Sequence, residues 1–547
     1  MLTSRYIDRI CIAITVIALI VTTLFMFGEN LGIEKIVDED AEGHEAVTGF
    51  TGNDLDDAWD TEDATIITLE EDTATVSGGG AYTDDGNVYI MNGGKYLVSG
   101  SLSDGSIIVD AYDSSKVWIR FDNVSVYCSD DAALRVNTAD KVFLTLAEGS
   151  ENSLSGGAEY SSDALSDGTG GVIYSHEDLT INGQGSLDIR SEYMHGIECN
   201  DTLVIAGGKI SISAVKDGIN ANDAVNFTGA ELTLSAGDDG INAGGSFLMT
   251  GGAIMISKCY EGIEAVTIDI KDGDIDIYCE DDGLNANGNT GSFGQMQGGM
   301  GPGPGKDGGP HMRPEGFTRP EGTEGGQTGE EGSGFARPEG VEGGQTGEEG
   351  SGFVRPEGAP GQRPENAELS ADTSEAGEIV DVEDTWIHIS GGNITVRNET
   401  GRDADGLDSN GSIEISGGSI RVSLSGSGGN CALDWASEAG GKCTVSGGTI
   451  VACGSSSMVE AIDATSTQCS ILYIPEEMTA ENTQVLVKDE AGNVIIAWEA
   501  PYACTAIHLS SPDIKAGETY TIETGDHVET VTISETSTQI GQAMRGR

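Results

Sequence analysis

His195-Gly196-Ile197-Glu198-Cys199, Asp217-Gly218-Ile219-Asn220-Ala221, Asp239-Gly240-Ile241-Asn242-Ala243, Glu261-Gly262-Ile263-Glu264-Ala265 and Asp282-Gly283-Leu284-Asn285-Ala286 are five versions of one phrase. Their apolar centres stand 22, 22, 22 and 21 residues apart. A constant period in this range marks stacked repeats, each too small to bury its apolar face alone. Within one period, Ile219 and Ala221, then Val225 and Phe227, then Leu232 and Leu234 alternate with polar residues, separated by Gly, Asn and Asp. Three short runs of period two leave no room for a helix. The expected fold is therefore all-β, a right-handed parallel β-helix with three strands per turn of about 22 residues and about ten turns. Left-handed forms use hexapeptides, about 18 residues per turn, and do not fit this period.

Working outward, residues 10–27 are an uncharged apolar run of 18, about 27 Å as a helix and long enough to cross a bilayer core. Arg5 and Arg9 precede it and acids follow, which predicts a single-pass anchor after a cytoplasmic tip at 1–9, with the bulk of the chain outside the cell. A cleaved signal peptide is the competing reading, but no small-x-small cleavage pattern follows the run. Residues 28–63 hold thirteen Asp or Glu and read as an acidic disordered stalk. Residues 64–288 are the first part of the repeat array with an N-terminal cap. From 289 to 384 the chain is rich in Gly, Pro and Glu. Arg319-Pro320-Glu321-Gly322 returns there at 337 and 355, a period of 18, as expected of a disordered insertion. The repeats resume at 385–470, with Asp405-Gly406-Leu407-Asp408 as a sixth phrase. Residues 471–535 lose the period and read as a small β cap or sandwich, and 536–547 as a tail.

Several unrelated motifs in order carry a resemblance. They are the D-G-I-N-A phrases, the Gly-rich loop after Asn285-Ala286-Asn287, Asn430-Cys431-Ala432-Leu433-Asp434, Gly454-Ser455-Ser456-Ser457-Met458 with Ser466-Thr467-Gln468, and Lys515-Ala516-Gly517-Glu518-Thr519-Tyr520. Over roughly residues 75–530 the chain resembles bacterial carbohydrate-binding domain-containing proteins. The resemblance implies a fold like that of polysaccharide lyases, with binding of calcium and of cell-wall polysaccharides such as cellulose and polygalacturonate.

Stacking in register sets equivalent residues about 4.8 Å apart. Two ladders result: His195, Asp217, Asp239, Glu261, Asp282 and Asp405, and beside them Glu198, Asn220, Asn242, Glu264, Asn285 and Asp408. Carboxylates so close raise one another's pKa unless a cation lies between them. Calcium, with six to eight oxygen ligands and a tolerant geometry, suits such a column better than magnesium, and several ions are expected. Ordinary turn chemistry, with the Gly at positive φ, and metal-free amide ladders account for the same letters.

With 91 acidic and 27 basic residues the formal charge is -64, which sets nucleic acid aside as a partner and repels acidic glycans unless calcium bridges them. Aromatic residues are 5% of the chain, so long sugar-stacking platforms are not expected; Tyr193, Tyr260 and Trp435 are the nearest candidates, each read more readily as packing or rim than as a binding surface. A lyase needs a base beside calcium, and Lys216, Lys258 and Arg402 stand next to the acidic column, where they read more simply as neighbours that neutralise it. The expectation is a monomeric, non-catalytic, calcium-dependent polysaccharide-binding protein, with a pectate-type lyase and a structural spacer or adhesin as the alternatives. Cys199 falls in the Ala221 column and Cys443 in the Ile413 column, so both read as small buried groups rather than disulfide partners.

Overall fold

The computed structural model describes residues 49–287, 384–401 and 404–542. The apolar run at 10–27, the first part of the acidic stretch, nearly all of the insertion and Arg402 lie outside the described residues.

The described residues form one 33-stranded sheet and a separate four-stranded sheet. Most of the large sheet is three columns of parallel strands. The first contains the repeated phrase: His195–Cys199, Ile219–Ala221, Leu284–Ala286, Leu407–Ser409 and Leu433–Trp435 are joined through the starts of Ile241–Lys258 and Ile263–Tyr278. The second includes Thr202–Ile205, Ala224–Phe227, Trp386–Ile389, Ser412–Ile415 and Cys443–Val445. The third includes Lys209–Ser213, Glu231–Ser235, Asn393–Asn398, Ser419–Leu424 and Thr449–Gly454. Alternation sends Ile219, Val225, Phe227, Leu232 and Leu234 into the core, where all are buried. Each such side chain contributes roughly 1.5–3 kcal/mol on leaving water, and neighbouring repeats provide the surface that makes this possible. The insertion leaves this stacking unbroken: Ile268 pairs with Ile387 and Leu284 with Leu407 across it.

The expected fold class needs correction. A β-helix of separate three-stranded turns does not describe the structure. Ile241–Lys258 and Ile263–Tyr278 are single strands of 18 and 16 residues that run through all three columns. At these corners Gly244-Gly245 and Gly251-Gly252 bend the chain without ending the ladder. Both ends turn antiparallel: Thr65–Glu71 pairs with Thr73–Ser77, and Thr449–Gly454 with Ala506–Ser510. Ala506–Ser510, expected in the cap, thus belongs to the main sheet. Among the described residues no helix is long and apolar enough to cross a membrane. The four-stranded antiparallel sheet, Val494–Ala500, Thr483–Asp489, Thr519–Thr524 and His527–Thr532, packs Val485, Val487, Ile496, Tyr520 and Ile522 into a second core that it shares with Val451, Ile471, Ile507 and Leu509 of the main sheet.

The glycine of the phrase also has a different cause from the one expected. None of Gly196, Gly218, Gly240, Gly262, Gly283 and Gly406 has positive φ. A Cβ on Gly262 would instead lie 2.2 Å from the carbonyl oxygen of Gly283 in the next repeat. Close approach of backbones, rather than turn conformation, excludes a side chain there.

The later part of the acidic stretch is not free chain. Asp54 is 1% exposed, with Lys141 Nζ at 2.9 Å and the Thr180 hydroxyl donating to it at 2.5 Å. Burial works to raise its pKa, but the Lys141 charge and the hydrogen bonds of Thr180 and Thr51 hold it below the usual carboxylate value. Trp59 Nε1 donates to Thr145 at 3.0 Å, and the Arg120 guanidinium lies 4.4 Å from the Trp59 ring centre. Composition made residues 49–63 look solvated, yet a few specific partners on the second column hold them.

Candidate functional site

Both ladders exist in the backbone. Glu198, Asn220, Asn242, Glu264, Asn285 and Asp408 are successive Cα partners, and Asp434 extends the series. The first ladder follows from the glycine after each acid: Gly196 N–H donates to Asp217 O, Gly218 to Asp239, Gly240 to Glu261, Gly262 to Asp282, Gly283 to Asp405 and Gly406 to Cys431, at 2.8–3.1 Å. Cys431 therefore occupies the position after Asp405 and ends the acidic run.

The side chains divide the column into unlike parts. At one end Asp217, Asp238 and Asp239 bring carboxylate oxygens within 4.8 Å of one another, and at the other Asp405, Asp408 and Asp434 do the same. Between them amides take up the carboxyl oxygens. Asn242 Nδ2 donates to Glu264 at 2.7 Å, Asn285 Nδ2 to Glu261 at 2.9 Å and Asn287 Nδ2 to Glu264 at 2.9 Å. Acids also accept from the backbone of the next repeat, Asp282 from Asp405 N–H at 2.7 Å and Asp239 from Glu261 N–H at 3.3 Å. His195 Nδ1 lies 3.0 Å from Asp217 Oδ2.

Burial and crowding hold these acids against ionisation. The Glu261 pKa is pushed up to about 9, first by burial and then by the charges of Glu264, Asp239 and Asp282. Asp405 rises to about 9 through burial and then Asp282, Asp408 and Asp434. Burial, then Asp217 and Glu264, raises Asp239, and burial raises Glu198 against the lowering effect of His195. Two oxygens in the column, Glu198 Oε2 and Asn285 Oδ1, are buried with no hydrogen-bond partner. Such atoms destabilise the fold until something satisfies them.

Of the residues singled out in the sequence, the structure brings Asp217 to Asp239 and Asp405 to Asp408. It ties Asn242 to Glu264 and Asn285 to Glu261 and sets Asn220 in register between Glu198 and Asn242. Asp238 and Asp434 were missed. The doublet Asp238-Asp239 and the Leu433-Asp434 match to Leu407-Asp408 were the available signals. Lys216 and Lys258 are exposed. Tyr193 is half-buried against Tyr160, with ring centres 5.2 Å apart, and Tyr260 is exposed. Trp435 is 7% exposed and packs in the main core, which removes it as a sugar platform. The nine cysteines among the described residues are buried and unpaired by disulfide, with Cys199 beside Ala221 and Cys443 beside Ile413.

Residues 84–259 match the family model for carbohydrate-binding domain-containing proteins, the family the sequence resembles. A carbohydrate-binding domain-containing protein of Acetivibrio thermocellus is 31% identical over 136 residues, which are 25% of this chain and 48% of that protein. The match thus spans about half of that relative's length. A solved polysaccharide lyase-like protein from C. thermocellum, in a gadolinium derivative, is 28% identical with a TM-score of 0.38, over 39% of this chain and 90% of that one.

Proposed function

We propose that this chain binds polysaccharide outside the cell, without cleaving it, and that calcium held at the two ends of the acidic column makes the contact. One observation carries the reading: each end gathers three carboxylates with oxygens inside 4.8 Å. Oxygens on opposite sides of a calcium ion, each at about 2.4 Å, lie about that far apart. The donors are all hard oxygens, as calcium requires, and the buried Asn285 Oδ1 and Glu198 Oε2 lack partners along the same column. The residues therefore fit the ion.

Asp217, Asp238 and Asp239 would hold one ion and Asp405, Asp408 and Asp434 another. When bound, calcium neutralises the stacked acids and offers its remaining coordination positions to sugar oxygens. The chain's own part is to fix the carboxylates in register and to keep the middle of the column closed by amide bonds. The match to carbohydrate-binding proteins includes the first cluster, and the second lies beyond it.

A lyase reading has one observation of its own. Lys216 is exposed beside Asp217, and its charge acts on both Glu198 and Asp238. Affinity electrophoresis on acidic and neutral polysaccharides, with calcium and with EDTA, tests the main reading. Calcium-dependent retardation is expected, and equal mobility in every gel would overturn it. Ultraviolet absorbance from an unsaturated uronate product, lost in Lys216→Ala, would favour the lyase.

A further inference from the structure

A second polar cleft lies away from the acidic column, between the outward side of the third column and the edge of the four-stranded sheet. Its volume is about 210 Å³, and its walls include Ser419, Arg421, Thr449 and Val451 on one side and Ile495 and Trp498 on the other. Ser419 pairs with Thr449 and Arg421 with Val451, so two hydroxyls, a guanidinium and an apolar patch are fixed on adjacent strands. The opposite wall is the strand Val494–Ala500, whose far edge has no partner strand in its sheet. Val487 pairs with Ile496 and Lys488 with Val494, leaving Ile495 bulged out of the ladder toward the cleft. Bulges re-aim side chains in this way.

Arg421 is the unusual group. In a chain with 91 acids and 27 bases, its side chain has no ion pair or hydrogen bond among the described residues. Asp276, two strands along the same column, is already paired with Arg397. Trp498 is half-buried against the core of the small sheet, and its indole N–H likewise has no acceptor among the described residues.

We propose that this cleft binds one anionic sugar unit of a glycan, and does so without calcium. The Arg421 fork matches a carboxylate or sulfate oxyanion in two-pronged fashion. Trp498 offers a ring for the apolar face of the sugar and a donor for a hydroxyl. Ser419, Thr449 and the free strand edge are hydrogen-bonding partners for further hydroxyls. The volume equals about seven waters at ~30 Å³ each, enough to seat a single sugar ring. This inference rests on the polysaccharide-binding reading but uses none of its metal ligands.

The test is titration of tryptophan fluorescence of the full chain in EDTA. The probes are an oligogalacturonate, a sulfated galactan oligomer and a neutral galactan oligomer. Binding of at least one anionic oligomer, and of neutral oligomer far more weakly, is expected. Whichever anionic oligomer binds tells carboxylate from sulfate. Arg421→Gln should weaken that binding about tenfold or more, Arg421→Lys less, and Trp498→Ala should remove the fluorescence response. Thermal melts of all three variants check folding, and calcium-dependent retardation should persist in each.

Unchanged binding in folded Arg421→Gln, equal affinity for neutral oligomer, or no anionic binding in EDTA alongside intact calcium-dependent retardation would each overturn the cleft alone. Absence of retention on any glycan, with or without calcium, would bring down the polysaccharide-binding reading and the cleft with it.

Discussion

Raising the pH of metal-free protein should destabilise it, and calcium should reverse the trend. Glu261 and Asp405 have folded-state pKa values of about 9, above the ordinary values of 4.5 and 3.8. A group whose pKa is raised on folding contributes stability that is complete below its unfolded value and is lost as pH rises through the folded one. The window is therefore about pH 4.5 to 9. Each group changes stability by at most about 1.36 kcal/mol per pH unit, so the two together give a ceiling of about 2.7 kcal/mol per unit. Asp239, raised for the same reasons, adds in the same direction. Calcium needs ionised ligands, so binding near neutral pH must expel the proton of Asp405 and weaken the upward push on its neighbours.

Two measurements follow. Melting temperature in EDTA should fall steadily between pH 5 and 9, while in calcium it should hold or rise. Calorimetric titration of calcium in buffers of different ionisation enthalpy should report proton release at pH 7, and apparent affinity should climb about tenfold per pH unit for each proton released. A flat melting profile in EDTA together with zero proton release would refute the crowded, charge-averse column.

Asp238→Asn and Asp434→Asn should each abolish one calcium site and leave the other, read as stoichiometry by elemental analysis. Loss of both ions in either variant would contradict two separate clusters. Asp54→Ala removes the nearer of the two carboxylates facing Lys141, whose side chain is only 12% exposed, and the acceptor of the Thr180 hydroxyl, and should cost about 1–3 kcal/mol in denaturant unfolding. A change within about 0.5 kcal/mol would mean that residues 49–63 are not docked. Gly262→Ala, which drives a methyl against the Gly283 carbonyl, should cost about 1–3 kcal/mol. Gly52→Ala, with nothing near its Cβ, should stay within about 0.5 kcal/mol, and equal effects at the two positions would refute the close-approach argument.

The spacing of the repeated phrase was enough to put the strands from His195–Cys199 to Leu284–Ala286 in one column and to stack Glu198 on Asn220 and Asn242. Register follows from periodicity when one face is buried, because a slip of one residue would expose Ile219 and Ile241 together. The same periodicity identified Cys199 and Cys443 as small core groups. Composition misled at residues 49–63, where thirteen acids counted over 28–63 concealed Asp54, whose carboxylate finds Lys141. It also misled at the glycine of the phrase, whose role depends on a carbonyl in the next repeat.

What the letters determined by themselves was which residues share a column, since that depends only on a period and on the need to bury every second side chain. Which of those residues face a common point was decided by the tertiary structure. Amide side chains take up Glu261 and Glu264 in the middle, while carboxylate oxygens of Asp217, Asp238 and Asp239 converge at one end and those of Asp405, Asp408 and Asp434 at the other. The cleft of Arg421 and Trp498 belongs wholly to that second class, because its two walls are 77 residues apart in sequence and meet only when the small sheet lies against the third column.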